Sequence, residues 1–368
     1  MQKINKLTVK YHGRVVGTLA LYQKRILAFE YDEAWLVEGF SISPFSLPLE
    51  RKVFIPKIEP LDGTYGVFAD SLPDGWGRLL VDRVLLKQHV DLTTITNLNR
   101  LAIVGASGMG ALTYEPCEAW ESDPKSELDY DKISSMCKDI LQSEDIQNLD
   151  DLFSLGGSSG GARPKIFTKI DGEDWIIKFP SSYDTSDIGL QEYRYSLCAK
   201  ACGIEMSETR LFESKICAGY FGTKRFDRTP DRIHMVSVAG LLETSHRIPN
   251  LDYDMLMKLT LALTDDFTQV EKLYRWMCFN VFAHNRDDHS KNFSFLYAEE
   301  AKKWIVSPAY DLTYSNSIGG EHATMIHGNG SNPSKQDVLA VADYIGMNRT
   351  AARQIAEEIE TIVREYRL

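Results

Sequence analysis

The chain has 368 residues, 43% hydrophobic and 25% charged, a composition that supports two or three folded domains around sizeable cores. Its 41 Lys and Arg against 52 Asp and Glu leave a net charge of -11, which excludes a protein that grips nucleic acid through a broad basic surface. DNA is expected only indirectly, through a partner. The opening MQKINKLTVKYHGR lacks an apolar stretch of signal-peptide length and no run of about 18 apolar residues occurs, so a cytoplasmic protein with no membrane role is expected.

Residues 6 to 36 alternate short β-branched and aromatic runs with turn signals such as His12-Gly13, which predicts a small antiparallel sheet. The glycines of VGASGMGAL (104 to 112) read GxxGxG, not the GxGxxG of a dinucleotide fold, and ALTYEP continues as strand, so the segment is read as turns. No Walker A motif occurs. The acidic, Pro-bearing EAWESDPKSELDY after Cys117 is the linker candidate, and domains are expected over 1–118, 119–228 and 229–368. KIFTKIDGEDWIIKFP predicts a hairpin turning at Asp171-Gly172, and IGLQEYRYSLCAKACGI a helix ending near Gly203. From about residue 251 the period becomes helical, ending in a core stripe of Ile355, Ile359, Ile362, Val363 and Tyr366. The six cysteines show no CxxC pair; Cys198 and Cys202 are read as small buried thiols, with no disulfide and no zinc.

Three segments carry the chemistry. SLGGSSGGARPK (154 to 165) is a glycine-rich loop ahead of a strand, where backbone N–H groups approach phosphate oxygens; alone it reads more readily as a flexible surface loop. Lys178 sits in the apolar run WIIKFP, where a buried ammonium needs an anion, a phosphate for instance, unless it is an edge-strand lysine facing solvent. In AHNRDDHSKNFSF (283 to 295), Asp287 and Asn292 stand five positions apart, the spacing at which a kinase Asp accepts the substrate hydroxyl proton and an Asn ligates magnesium. Arg286 completes an Arg-Asp pair. Nineteen residues on, Asp311 ends the strand-like KWIVSPAY, where a second magnesium carboxylate belongs. His289 is read as a loop buttress and Asp288 as facing solvent. The Gly- and Asn-rich stretch after Asp311 reads as a mobile activation-type loop.

With YHGRVVGTLAL, FADSLPDGWGRLL, LAIVGASGMGALTYEP, GGSSGGARPK, KRFDR, DDHSKNFSFL and SPAYDLTYS in this order, the sequence resembles the HipA family of toxin serine/threonine kinases of bacterial type II toxin–antitoxin modules. The resemblance covers most of the chain. It implies an α+β fold: a protein-kinase-like bilobal core, β-rich N-lobe and helical C-lobe, with an added β-rich N-terminal domain. It also implies ATP with Mg2+, autophosphorylation of a loop serine, a DNA-binding, HipB-like antitoxin as partner, and a protein substrate, with aminoacyl-tRNA synthetases the first class to test. By the resemblance the catalytic base falls on Asp287, the magnesium ligands on Asn292 and Asp311, and the ATP lysine on Lys178. The phosphate loop falls on Ser159, Gly160, Gly161, Ala162, Arg163, Pro164 and Lys165, and the adenine-contacting segment on Lys224, Arg225 and Phe226. His289 and Tyr310 join the expected nucleotide set. The autophosphorylated serine falls on Ser158, with Ser154 and Ser159 as rivals, and Glu192 is the candidate partner for Lys178. Lys224 stands where some members carry an acid, and Asp-Leu-Thr replaces Asp-Phe-Gly, which removes the Phe on which a eukaryotic-type switch is built. A small-molecule phosphotransferase, or a noncatalytic ATP-binding corepressor, are the alternatives.

Overall fold

The computed structural model describes residues 4–118, 128–142, 149–157, 159–228 and 230–368. Most of the expected linker, and Ser158, lie outside the described residues. The chain packs into two compact units: Met1–Gly189 with Arg210–Val236 and Gly240–Thr244, and Leu190–Thr209 with Ser237–Ala239 and Ser245–Leu368.

The first unit opens with a five-stranded antiparallel sheet in the order Val53–Phe54, Ile26–Tyr31, Arg14–Tyr22, Lys6–Tyr11, Leu112–Glu115. Alternation does what it should in Lys6–Tyr11, burying Leu7, Val9 and Tyr11 on one face. His12 and Gly13, both at positive φ, make the two-residue turn that joins Tyr11 to Arg14. After helix Asn97–Val104 the segment 105–112 is turn followed by strand, as read.

A second, four-stranded sheet runs Lys165–Ile170, Glu173–Lys178, Tyr220–Lys224, Thr209–Phe212. Its first hairpin turns at Asp171 and Gly172, both again at positive φ. Glu173–Lys178 is an interior strand, paired on both sides, so Lys178 is no edge residue. One core joins this sheet to helix Gly75–Lys87: Trp76, Leu80 and Val84 pack with Ile133, Leu149, Leu152, Ile166, Trp175 and Ile177. Burial of that many large side chains, each stabilising by roughly 1.5–3 kcal/mol, fixes the helix that follows Asp74 to the sheet that carries Lys165 and Lys178.

The second unit is helical: Tyr253–Thr264, Phe267–Phe282, Lys335–Ile345 and Arg349–Tyr366, with the hairpin Ser294–Ala298 and Lys303–Val306. Its helix starts follow the side chains, Asp266 accepting from Thr268 N at 2.9 Å and Asn348 from Thr350 N and Ala351 N at 3.0 Å. The last helix buries Ala352, Ala356, Ile359 and Val363; of the expected stripe, Ile359 and Val363 are buried, while Ile355, Ile362 and Tyr366 are half-buried at its edge. Helix Ile188–Ala201 buries Cys198, and Cys202 is buried just beyond its end, with Gly203 at φ +71 ending the turn. Among the described residues no helix is long and apolar enough to cross a membrane.

Candidate functional site

The chemistry-bearing residues fall into two groups, one in each unit. In the first, helix Leu149–Gly156 ends one short loop ahead of strand Lys165–Ile170. Gly156 is required there, since a Cβ would lie 2.3 Å from the Lys165 carbonyl. Ser159 is fully buried and its Oγ finds no hydrogen-bond partner among the described residues, while Ser154, still helical, gives its hydroxyl to Asp151 O at 2.7 Å. Gly161 takes φ +83 and lies at the surface.

Lys165 and Lys178 are directly opposed across the ladder, so two ammonium groups share one face. Like charges so placed repel, and an anion beside them relieves the repulsion. Lys165 Nζ donates to Gly160 O at 2.6 Å, and Lys178 Nζ stands 5.6 Å from the centre of the Phe221 ring. The residue types and the loop therefore fit a nucleotide's phosphates.

The expected adenine segment turns two of its side chains elsewhere. Lys224 pairs with Glu173 at 2.9 Å. Arg225 is buried, grips Asp227 through two bonds of 2.9 and 2.8 Å, and lies over the Phe167 ring. Phe226, the third of the segment, is half-buried. Asp227, fully buried, also accepts from Arg228 and from Gly110 N at 2.7 Å. Burial alone would raise its pKa; the two guanidinium groups and the amide more than offset that and hold it below the usual carboxylate range. The carbonyls of Gly108 and Gly110 in turn accept from Arg225, Arg228 and Arg232.

In the second unit, helix Phe267–Phe282 delivers the chain into the loop that carries Asp287. Asn280 fixes the exit, accepting from Asn285 at its backbone and its side chain, at 2.9 and 3.0 Å. Asp287 is exposed, at 58%. Asn292, on the 3-10 turn Ser290–Asn292, donates Nδ2 to Asp287 O at 2.6 Å, which points its amide oxygen the other way. His289 accepts from Lys291 N through Nδ1, leaving Nε2 to carry the proton 3.9 Å from the Asp287 carboxylate. It buttresses the loop, as expected. Tyr310 OH donates to Lys291 O at 2.7 Å, which ties the residue before Asp311 to the residue before Asn292. Asp311 itself holds φ +55, a costly conformation for a non-glycine and one that concentrates at functional sites. An amide oxygen and a carboxylate are the hard oxygen donors that magnesium prefers. Glu192 is buried on helix Ile188–Ala201.

Asp288 corrects the sequence reading. It does not face solvent but is buried, accepting from Tyr253 OH at 3.0 Å, Thr324 N at 3.1 Å and His322 Nδ1 at 2.9 Å. Adjacent residues of an extended loop point opposite ways, so the neighbour of an exposed Asp287 turns inward. Burial, and then the Asp288 charge, push the Tyr253 phenol well above its ordinary value and keep it a donor. The stretch after Asp311, read as mobile, is laced to this loop: Arg286 N donates to Ser315 O, Ala323 N to Arg286 O, and Arg286 Nη1 to Gly320 O. Nothing in the spacing of His322, Thr324 or Tyr253 signalled this network.

The family models for the HipA N-terminal domain and the HipA-like C-terminal domain match residues 7–115 and 157–366. Two Sinorhizobium fredii proteins are similar over most of the chain. "Putative kinase Y4dM" is 26% identical, covering 85% of this chain and 78% of its own; "Putative kinase Y4mE" is 24% identical, covering 84% and 77%. Among solved structures, HipA of Shewanella oneidensis MR-1, in complex with HipB and its operator DNA, matches with a TM-score of 0.73 at 17% identity, over 98% of this chain and 89% of that one. Its fold, an N-terminal domain with a kinase-like core, is the fold of this chain.

Proposed function

The chain belongs to the HipA family, and we propose that it is an ATP-dependent serine/threonine protein kinase acting as the toxin of a toxin–antitoxin module in the cytoplasm. The observation that carries the reading is the Asp287–Asn292 turn, in which the asparagine amide is pinned to the Asp287 carbonyl while the carboxylate stays open to solvent.

In this reading the backbone from Ser159 to Lys165, with Lys165 and Lys178, binds the phosphates of ATP. The main chain at Lys224 to Phe226 meets the adenine. Asn292 and Asp311 are the residues that would hold magnesium, with Tyr310 and His289 fixing their backbone. When bound, magnesium neutralises charge on the transferring phosphoryl group. Asp287 orients the substrate hydroxyl and accepts its proton, and the Asp288 network keeps the loop from yielding as it does so. Most of the catalysis is positioning and charge stabilisation. By function the chain divides into an N-terminal region (1–118), a nucleotide-binding region (119–228) and a catalytic region (229–368).

A HipB-like, DNA-binding antitoxin is the proposed partner. The relative's complex with HipB and operator DNA supports it, as does the net charge of -11, which leaves DNA contact to a partner. An aminoacyl-tRNA synthetase is the first substrate to test. Ser158 is the proposed autophosphorylation site; the burial of Ser159 and the helical bond of Ser154 favour it over both rivals. Its phosphate, adding about -1.5 to -2 charge in the loop that serves ATP, would switch the enzyme off.

Incubation with ATP and magnesium, followed by phosphosite mass spectrometry, tests the reading. We expect phosphate on Ser158 in the natural protein. Asp287→Asn should keep ATP binding while transfer falls by about 10²–10⁴-fold, and Lys178→Ala should weaken ATP binding. Comparable transfer by Asp287→Asn would remove Asp287 from the role of base.

A further inference from the structure

The phosphate loop is not empty-handed. Gly161, whose N–H belongs to the donors a phosphate would use, gives that N–H to the Asp74 carboxylate. Its carbonyl accepts from Trp76 N at 2.9 Å, so the residue is held at both its N–H and its C=O by the turn that starts helix Gly75–Lys87. The fit is close. A Cβ on Gly75 would lie 2.3 Å from Gly161 O, and one on Gly77 2.1 Å from Ser159 O. The loop's cation is engaged too, with Lys165 Nζ on Gly160 O.

An N–H held by a carboxylate forms a charge-assisted bond to an anion, the same bond a phosphate oxygen would make. One N–H cannot serve both acceptors well, and the two acceptors carry the same sign. The Trp76–Gly161 bond and the glycine contacts hold the loop without any charge, so a neutral amide at position 74 would suffice for support.

We propose that Asp74 is an intramolecular stand-in for phosphate: it fills the Gly161 donor in the nucleotide-free protein, must give it up when ATP binds, and so sets nucleotide affinity from within the N-terminal region. The inference rests on the nucleotide reading above. It makes the turn Asp74–Gly77 part of the nucleotide site, and it keeps the emptied loop in its folded shape by pairing the donor that nucleotide release would otherwise leave bare.

The test is calorimetric titration of the full chain with ATP and with inorganic tripolyphosphate, in the natural protein, Asp74→Asn and Asp74→Ala. Asn keeps an acceptor of the same shape and removes the charge. Both variants should bind both ligands about fivefold more tightly or better, with the gain shrinking as salt is raised. In the absence of ligand, amide exchange in the 159–165 segment should quicken in Asp74→Ala. Binding by Asp74→Asn that is unchanged or weaker than the natural protein's, while the natural protein itself binds ATP, overturns the proposal and makes Asp74 a brace. A natural protein that binds neither ligand overturns the nucleotide reading and the proposal with it.

Discussion

Two glycine-rich segments of the first unit look alike in sequence and work in opposite directions. VGASGMGAL turns its carbonyls toward three arginines: Gly108 O and Gly110 O receive Arg225, Arg228 and Arg232, and Asp227 closes the cluster from below. GGSSGGARPK turns a backbone N–H toward a carboxylate instead, and sets two lysines beside it. Glycine lets the main chain approach a charge from either end of the peptide. What decides the end is the neighbourhood: guanidinium groups from residues 225 to 232 in one case, a carboxylate at 74 in the other. The first segment is a permanent clamp because its charges are buried and paired. The second, if the proposal above holds, is exchangeable, and Gly161 lies exposed where a ligand could reach it.

The sharpest way to break this contrast is to remove the carboxylate that completes the clamp. Asp227→Ala leaves Arg225 and Arg228, buried or nearly so, without their counter-ion. Stranding buried charge in this way costs about 3–5 kcal/mol, so a large drop in the denaturant midpoint is expected. A loss under 1 kcal/mol would show that the glycine carbonyls suffice on their own. Because the native carboxyl is held below its usual range, its contribution is present above the ordinary Asp value of 3.8 and fades as pH falls through the lower native value.

Next in size is Gly77→Ala, which acts on the other segment. The added Cβ meets the Ser159 carbonyl, a backbone atom that cannot swing aside, so either helix Gly75–Lys87 or the loop must shift. Overpacking of this kind costs about 1–3 kcal/mol, and ATP affinity should fall with it. Unchanged affinity alongside lost stability would place the adjustment in the helix and free the loop from this contact.

These contacts also mark where the sequence stops being legible. The hairpin at Asp171-Gly172, the helix ending at Gly203 and the Asp287–Asn292 turn are local, so residue type and spacing define them. The bonds that finish each site reach far: 87 residues from Asp74 to Gly161, 117 from Gly110 to Asp227, 34 from Asp288 to His322. No period or spacing carries such pairs. The sense of the VGASGMGAL segment was half legible, since its turns were read but not the arginines they serve. The inward turn of Asp288 was in principle readable from its place beside Asp287; it was obscured by the habit of leaving charges in water.

The smallest expected effect comes from a third carboxylate on a backbone amide, which isolates what burial does when no ligand competes. Glu243 receives Gly66 N at 3.1 and 3.0 Å on its two oxygens, with the Asp70 charge nearby. Burial dominates, and the carboxyl is pushed up from 4.5 to about 7 although the amide bond pulls it down. The folded state thus holds the proton more tightly than the unfolded one, and this group's contribution is fully present below about pH 4.5 and lost as pH rises through about 7. Glu243→Gln imitates the protonated form at every pH. Melting temperatures of the two proteins should agree near pH 4.5, and the variant should lead by a few degrees above pH 7. Curves that stay parallel across that window would mean that Gly66 N–H satisfies the ionised carboxylate in full, despite the burial that otherwise raises its pKa.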